Sequence, residues 1–174
     1  MKVRHGRMHT FTNNQLQHLF LQQSCLDAWS EYERQIKNRR AIIWDYVVLT
    51  ASNEEQANIY KSEIEYRLRL KQIPARTKYL VLPDPDGKRV GSGGATLNVL
   101  KAIAEREQKD DTNFFKGLRV LVIHSGGDSK RIPQYSTCGK LFSPVPRVLP
   151  NGQASTLFDE FMVTTSMIPG RMQE

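Results

Sequence analysis

Three short runs rich in apolar and β-branched residues, Tyr46–Thr50, Lys78–Leu82 and Arg119–His124, punctuate the chain, and each gap between them holds a stretch of helical periodicity. Such alternation of strand and helix restricts the chain to α/β folds built on a parallel sheet. In the first gap Ala57, Tyr60, Ile64 and Leu68 recur on one helical face after Ser52-Asn53-Glu54-Glu55, whose S-x-x-E spacing predicts a capping box on Ser52. Acids in the first turn and Arg67, Arg69 and Lys71 in the last suit the helix dipole, and Pro74 stops the helix. In the second gap Leu97, Leu100, Ile103 and Ala104 follow the glycines at 91, 93 and 94. The run Val120–His124 is almost continuously apolar, as suits a strand covered on both faces.

Downstream, the pattern predicts a strand from Lys140 to Val145, a Pro-rich turn through Asn151-Gly152, and a helix from Thr156 to Met167 that ends at Pro169-Gly170. Upstream, residues 13–38 read as a helix with at most one break, its stripe of Leu16, Leu19, Phe20, Leu26, Trp29 and Ile36 packing it on the domain as an appendage. The expected organisation is a helical extension over 1–43 and, over 44–174, part of a doubly wound, mostly parallel sheet. Three or four strands make half of such a sheet. Glu174 therefore reads as an artificial end, and the isolated chain is expected to be marginally folded and almost inactive.

Composition narrows the function. With 174 residues, 39% of them apolar, the chain builds one ordinary core, and 25 basic against 18 acidic side chains is a globular balance rather than that of a disordered or fibrous chain. No apolar stretch approaches the ~18 residues of a membrane span, and the polar N-terminus does not resemble a signal core, so a cytoplasmic location without a membrane partner is expected. Cys25 and Cys138 stand far apart in unlike contexts, which argues against a zinc site or a disulfide framework. Of the net charge of +7, most comes from residues 1–40, with seven basic and three acidic groups. No basic stripe is interleaved with aromatics, so a nucleic-acid partner is not expected.

Two glycine-rich loops carry the chemistry. His124-Ser125-Gly126-Gly127-Asp128-Ser129-Lys130-Arg131 leaves the strongest strand at its carboxyl end, where open α/β sheets bind ligands. Adjacent glycines bring backbone N–H groups close to phosphate oxygens, Ser129 adds a hydroxyl, and Lys130 and Arg131 add charge. The planar fork of Arg131 suits a leaving pyrophosphate. A tight strand-exit turn with solvated basic groups is the alternative. Lys140, nine positions on, is either a surface lysine at a strand entrance or a second charge folded back onto the same phosphates. His124 is an acid–base candidate, although a histidine at a buried strand end is more often a hydrogen-bonded core group. The other loop, Gly91-Ser92-Gly93-Gly94-Ala95-Thr96, opens a helix, which makes it an anion or nucleotide-base site with Thr96 and Asn98 as donors, or else a packing turn. It lacks the third glycine of a dinucleotide fingerprint, and no G-x-x-x-x-G-K-[ST] occurs.

Val120–Pro133, continued by Gly139-Lys140-Leu141-Phe142-Ser143-Pro144, resembles the signature of sugar-1-phosphate nucleotidyltransferases, and more closely that of the GDP-fucose pyrophosphorylase family. The stretch Asp84–Leu97 resembles a second motif of that family, in the right order, so the similarity covers residues 44–160 or thereabouts. Ser129 stands where the broader pattern has glycine, and Gly139 where it has proline. Both agree with the fucose branch. The resemblance implies transfer of a guanylyl group from GTP to L-fucose 1-phosphate in fucose salvage, with no covalent residue on the protein. By match, Gly126, Gly127, Asp128, Ser129 and Lys130 would cradle phosphates, Arg131 would hold the pyrophosphate, Lys140 would meet the α- or sugar phosphate, and Gly91, Ser92, Gly93, Gly94 and Thr96 would line the nucleotide pocket. It also implies Mg²⁺, with ligands expected beyond Glu174. Asp128 is a weak local candidate, with Asp84, Asp86 and Asp159 as the other acids to consider. Some members carry an L-fucokinase domain after the pyrophosphorylase, so kinase activity of a longer parent and a non-catalytic nucleotide-binding fragment are the competing readings. Arg131→Ala in the full-length protein is expected to lower kcat by about 10²- to 10³-fold, with partial recovery in Arg131→Lys. Near-normal turnover in a folded alanine variant would make Arg131 a surface residue.

Overall fold

The computed structural model describes residues 11–85, 88–109, 112–125, 139–149 and 152–172. Its elements run α1 (Asn13–Lys37), β1 (Tyr46–Ala51), α2 (Glu54–Arg69), β2 (Lys78–Pro83), α3 (Gly91–Glu107), α4 (Thr112–Lys116), β3 (Val120–His124), β4 (Pro144–Val148), β5 (Ala154–Thr156), α5 (Leu157–Thr165) and α6 (Ile168–Arg171). The three expected strands form one parallel sheet in the order β2-β1-β3. Val48 lies opposite Leu80 on one side and Val122 on the other.

Every residue of β1 is buried, because its two faces serve two cores. Val47, Leu49 and Ala51 point toward Ala57, Tyr60 and Ile64 of α2 and Phe158, Met162 and Val163 of α5. Tyr46 and Val48 point the other way, onto Val99 and Ile103 of α3 and the Phe114–Phe115 pair of α4. The period-2 alternation of a strand thus feeds helices on both faces. At the amino end of the sheet Glu107 accepts from both the Tyr46 hydroxyl and the Lys78 ammonium. The bond from Lys78, then that from Tyr46, holds the Glu107 carboxyl below the usual carboxylate range.

Several expectations need correction. The predicted fourth strand of the main sheet does not join it. Residues 140–143 form a turn, and β4 pairs antiparallel with β5 in a separate two-stranded ribbon. Ser143 closes the turn, its N–H and Oγ both donating to the Lys140 carbonyl at 3.0 and 2.6 Å, so extension begins only at Pro144. The cap of α2 is Asn53 rather than Ser52, with Asn53 Oδ1 accepting from the Gln56 N–H at 2.8 Å. Gln56 is buried, and its Oε1 accepts from the Ser52 backbone at 2.9 Å, whereas Glu55 points to water. The last helix stops at Thr165, and Pro169 sits in the first turn of α6 instead of ending it.

Helix α1 is unbroken, but only its second half packs as expected. Tyr32 is buried, with Trp29 and Ile36 beside it, while Leu16, Leu19, Phe20 and Leu26 of the proposed stripe are exposed. Beyond its end, Arg76 donates to the carbonyls of Asn38 and Ala41 and fixes the lead into β1.

Arg67, read in the sequence as a last-turn cation suiting the helix dipole, is 5% exposed. Its Nε and Nη2 donate to Asp159 Oδ1 and Oδ2 at 2.7 and 3.1 Å, Nη1 donates to Glu63 Oε2 at 2.6 Å, and the guanidinium lies 4.8 Å from the Phe142 ring centre. Burial alone would weaken its hold on the proton. The bonds and charge of Asp159, then Glu63, outweigh that and push its pKa up. Asp159 also closes the capping box of α5, accepting from the Thr156 N–H at 2.9 Å. Removing one member of a buried pair strands the other, at a cost of about 3–5 kcal/mol. Arg67→Ala and Asp159→Asn are each expected to lose about that much in urea unfolding, and Arg67→Met/Asp159→Leu less than the sum of the singles. Losses within experimental error would show the pair to be dispensable.

Candidate functional site

The strand order locates a crevice. The chain leaves β1 for β2 on one side and then crosses over to β3 on the other, so β1 and β3 flank the point where the winding reverses. Ligands of open α/β sheets sit outside the carboxyl ends of the strands at such a point. Here those ends are Thr50 and His124, paired in register, with Ser125 next. The Ser125 N–H donates to Thr50 Oγ1 at 3.3 Å, and Ser125 Oγ donates to the Thr50 carbonyl at 2.7 Å. These two bonds tie Ser125, just past the end of β3, to the end of β1.

The first glycine loop lies on the α3 side. Gly91, Ser92, Gly93 and Gly94 form the first turn of α3, with Val90 as N-cap and no side chain capping the turn. The other long helices α1, α2 and α5 are capped by Thr12, Asn53 and Thr156. The first N–H groups of α3, which no side chain among the described residues caps, form an anion-accepting helix end. A Cβ on Gly94 would fall 2.8 Å from Val90 Cβ, but one on Gly93 meets nothing within 4 Å. The fold thus requires no glycine at 93. Thr96 Oγ1 donates to the Ser92 carbonyl at 2.9 Å and lies 3.2 Å from His124 Nε2. His124, anticipated as a core residue, is exposed.

Lys140 approaches from the other helical layer. Gly139 has φ +73°, a conformation that side chains resist, and a Cβ there would lie 2.0 Å from the Tyr60 hydroxyl oxygen and 2.9 Å from Gln56 Nε2. This packing explains glycine before the lysine. After it, Leu141 is buried, and its carbonyl and that of Ser143 accept from the Phe158 and Leu157 N–H groups at the start of α5. Lys140, His124, Ser125, Leu141, Leu157 and Phe161 line one cavity of about 520 Å³.

Of the residues singled out in the sequence, Thr96, with Gly91–Gly94 on its helix, and Lys140 converge on this end of the sheet. Gly126, Gly127, Asp128, Ser129, Lys130 and Arg131 lie outside the described residues, as does Asp86. Thr50 and Ser125 escaped the sequence reading, since nothing local in a Ser or Thr at a strand end announces a cross-strand bond. The Mg²⁺ implied by resemblance finds no fit among the described residues, where no three His, Cys, Asp or Glu side chains gather. Asp159 is committed to Arg67, and Asp45 accepts from the Arg119 backbone at 2.8 Å.

A parallel sheet covered by helices on both faces, with an uncapped glycine-rich helix start and a lysine at its reversal point, has the layout of α/β proteins that bind phosphorylated ligands. Residues 112–174 match the model of the fucose pyrophosphorylase domain. The chain is 37% identical over 146 residues to the bifunctional fucokinase/GDP-fucose pyrophosphorylase of Arabidopsis thaliana, covering 73% of this chain and 14% of that protein. It is 41% identical over 103 residues to the fucose-1-phosphate guanylyltransferase of Mus musculus, covering 59% of this chain and 17% of that protein. With the L-fucokinase/L-fucose-1-P guanylyltransferase of Bacteroides fragilis it shares 38% identity over 74 residues, 41% of this chain and 8% of that protein. The chain thus spans about one sixth or less of the length of these relatives. No solved structure matches.

Gly139→Ala is expected to destabilise the chain by about 2–4 kcal/mol, the sum of a left-handed conformation and an overpacked contact with Tyr60. A Tyr60→Phe background removes the tightest of the contacts and should recover part of the loss, while the left-handed conformation and the 2.9 Å approaches to Tyr60 Cζ and Gln56 Nε2 remain. An unchanged melting temperature would contradict this packing.

Proposed function

We propose that the chain supplies the nucleotide-binding end of a fucose-1-phosphate guanylyltransferase. In this reaction a phosphate oxygen of L-fucose 1-phosphate attacks the α-phosphorus of GTP, the α–β anhydride bond breaks, and GDP-L-fucose and pyrophosphate leave. The nucleophile belongs to the substrate, so the protein has to align the two phosphates and neutralise charge. The observation that supports the reading is His124 at the carboxyl end of β3, which contacts Thr96 of the uncapped Gly-rich helix α3 and lines a cavity with Lys140 from the opposite layer.

In this reading Gly91, Ser92, Gly93 and Gly94 receive the nucleotide on free N–H groups, and Lys140 meets the α- or sugar phosphate as a point charge. Gly126, Gly127, Asp128, Ser129 and Lys130 cradle phosphates, and Arg131 holds the departing pyrophosphate. The fold type is then that of the sugar nucleotidyltransferases, with residues 1–43 as an extension on a domain that begins near 44. A role in fucokinase chemistry is less well supported, because the matched domain is the pyrophosphorylase and not a kinase. Mg²⁺ would be held by residues other than those described.

Release of pyrophosphate by the full-length protein, with GTP or ATP and with or without L-fucose 1-phosphate, tests the reading. GTP is expected to be preferred. Equal turnover with ATP would remove the guanylyl assignment. Gly93 adds a sharper probe, since alanine in a helix is favoured over glycine by about 1 kcal/mol. Gly93→Ala should leave the melting temperature unchanged or raised while KM for GTP rises about tenfold. A stabilised variant with unaltered KM would mean that no ligand approaches that turn.

A further inference from the structure

We infer that His124 is a positioning residue that clasps the Gly91–Gly94 turn to the end of β3, holding the nucleotide-binding turn in place before the nucleotide arrives. Resting on the proposed nucleotidyl-transfer reading, the inference adds a residue to which the glycine and lysine motifs assign no role.

A hydroxyl has one proton. Thr96 Oγ1 gives that proton to the Ser92 carbonyl at 2.9 Å, so toward His124 Nε2, at 3.2 Å, it acts as acceptor. In that arrangement His124 Nε2 is the donor, and the bond ties the first turn of α3 to β3. The tie has a purpose because α3 starts without a side-chain cap, and Gly91, Gly93 and Gly94 lack the side chains that would pack the turn in place. Glycine also carries the largest backbone entropy of any residue, which a ligand binding an unfixed turn would have to remove. The other side of the crevice is held independently. Ser125 is bonded twice to Thr50, and Gly139–Ser143 is docked on α2 and the start of α5. The His124–Thr96 bond thus fixes the remaining wall. The pair joins the end of β3 to α3, and the exposed imidazole lines the same cavity as Lys140.

Steady-state kinetics on the full-length protein test this with His124→Ala, His124→Gln, Thr96→Val and the Ala/Val double variant, each checked by thermal melting. Gln keeps a donor nitrogen near the place of Nε2. His124→Ala is expected to raise KM for GTP about tenfold, roughly the worth of one ordered hydrogen bond, with kcat within about threefold and KM for L-fucose 1-phosphate unchanged. His124→Gln should recover most of the loss, and the double variant should be no worse than either single, since both remove the same bond. Unchanged KM for GTP in His124→Ala, additive losses in the double variant, or equal losses for Ala and Gln would overturn the clasp. The two readings fail separately. Wild-type protein that uses another nucleotide or sugar phosphate overturns the fucose reading, and the clasp is then judged by the same ratios with the nucleotide it does use.

Discussion

The buried ion pair between Arg67 and Asp159 is the constraint on which the arrangement of layers rests. Most helix–sheet contacts here are apolar and tolerate sliding. The guanidinium does not, because its donors are directed at both oxygens of one carboxylate, at Glu63 and at Thr156, while its face lies on Phe142. That geometry sets α2 against α5. Through α5 it sets the segment 141–143, whose carbonyls bond the helix start, and through that segment the turn carrying Lys140. A charge pair some distance along the chain thus determines where the candidate phosphate-binding lysine stands.

Much of the architecture was legible in the sequence because it depends on period. Strands β1, β2 and β3 and the buried face of α2 follow from apolar spacing, and burial enforces the same spacing in the fold. What failed depended on choices between nearly equivalent neighbours. Ser52-x-x-Glu55 and Asn53-x-x-Gln56 are both capping patterns, one residue apart, and the second prevails because it puts Gln56, rather than a charged Glu55, in the interior. Arg67 looked like a last-turn cation until Asp159, 92 positions later, came to meet it. A pairing of that range leaves no local trace.

The candidate site divides in the same way. Glycine loops at strand ends are recognisable, since only certain residues serve a tight turn or an exposed helix start. The contacts that hold those loops were not recognisable. Thr50 with Ser125 and Thr96 with His124 are ordinary residues whose significance arises from parallel register. Register in turn depends on β1, whose faces serve different cores, so that a slip of one residue would turn both inside out.

That division of β1 has a mechanical consequence. The core shared with α2 and α5 is large, whereas Tyr46, Val48, Val99 and Ile103 are the fully buried apolar members beneath α3 and α4. Cooperative opening starts where the fewest apolar contacts must be given up. The layer bearing the Gly91–Gly94 turn is therefore the looser of the two, and its amides should exchange with solvent ahead of those of α2 and α5. The crevice has one rigid jaw and one compliant jaw, and the compliant one carries the glycines.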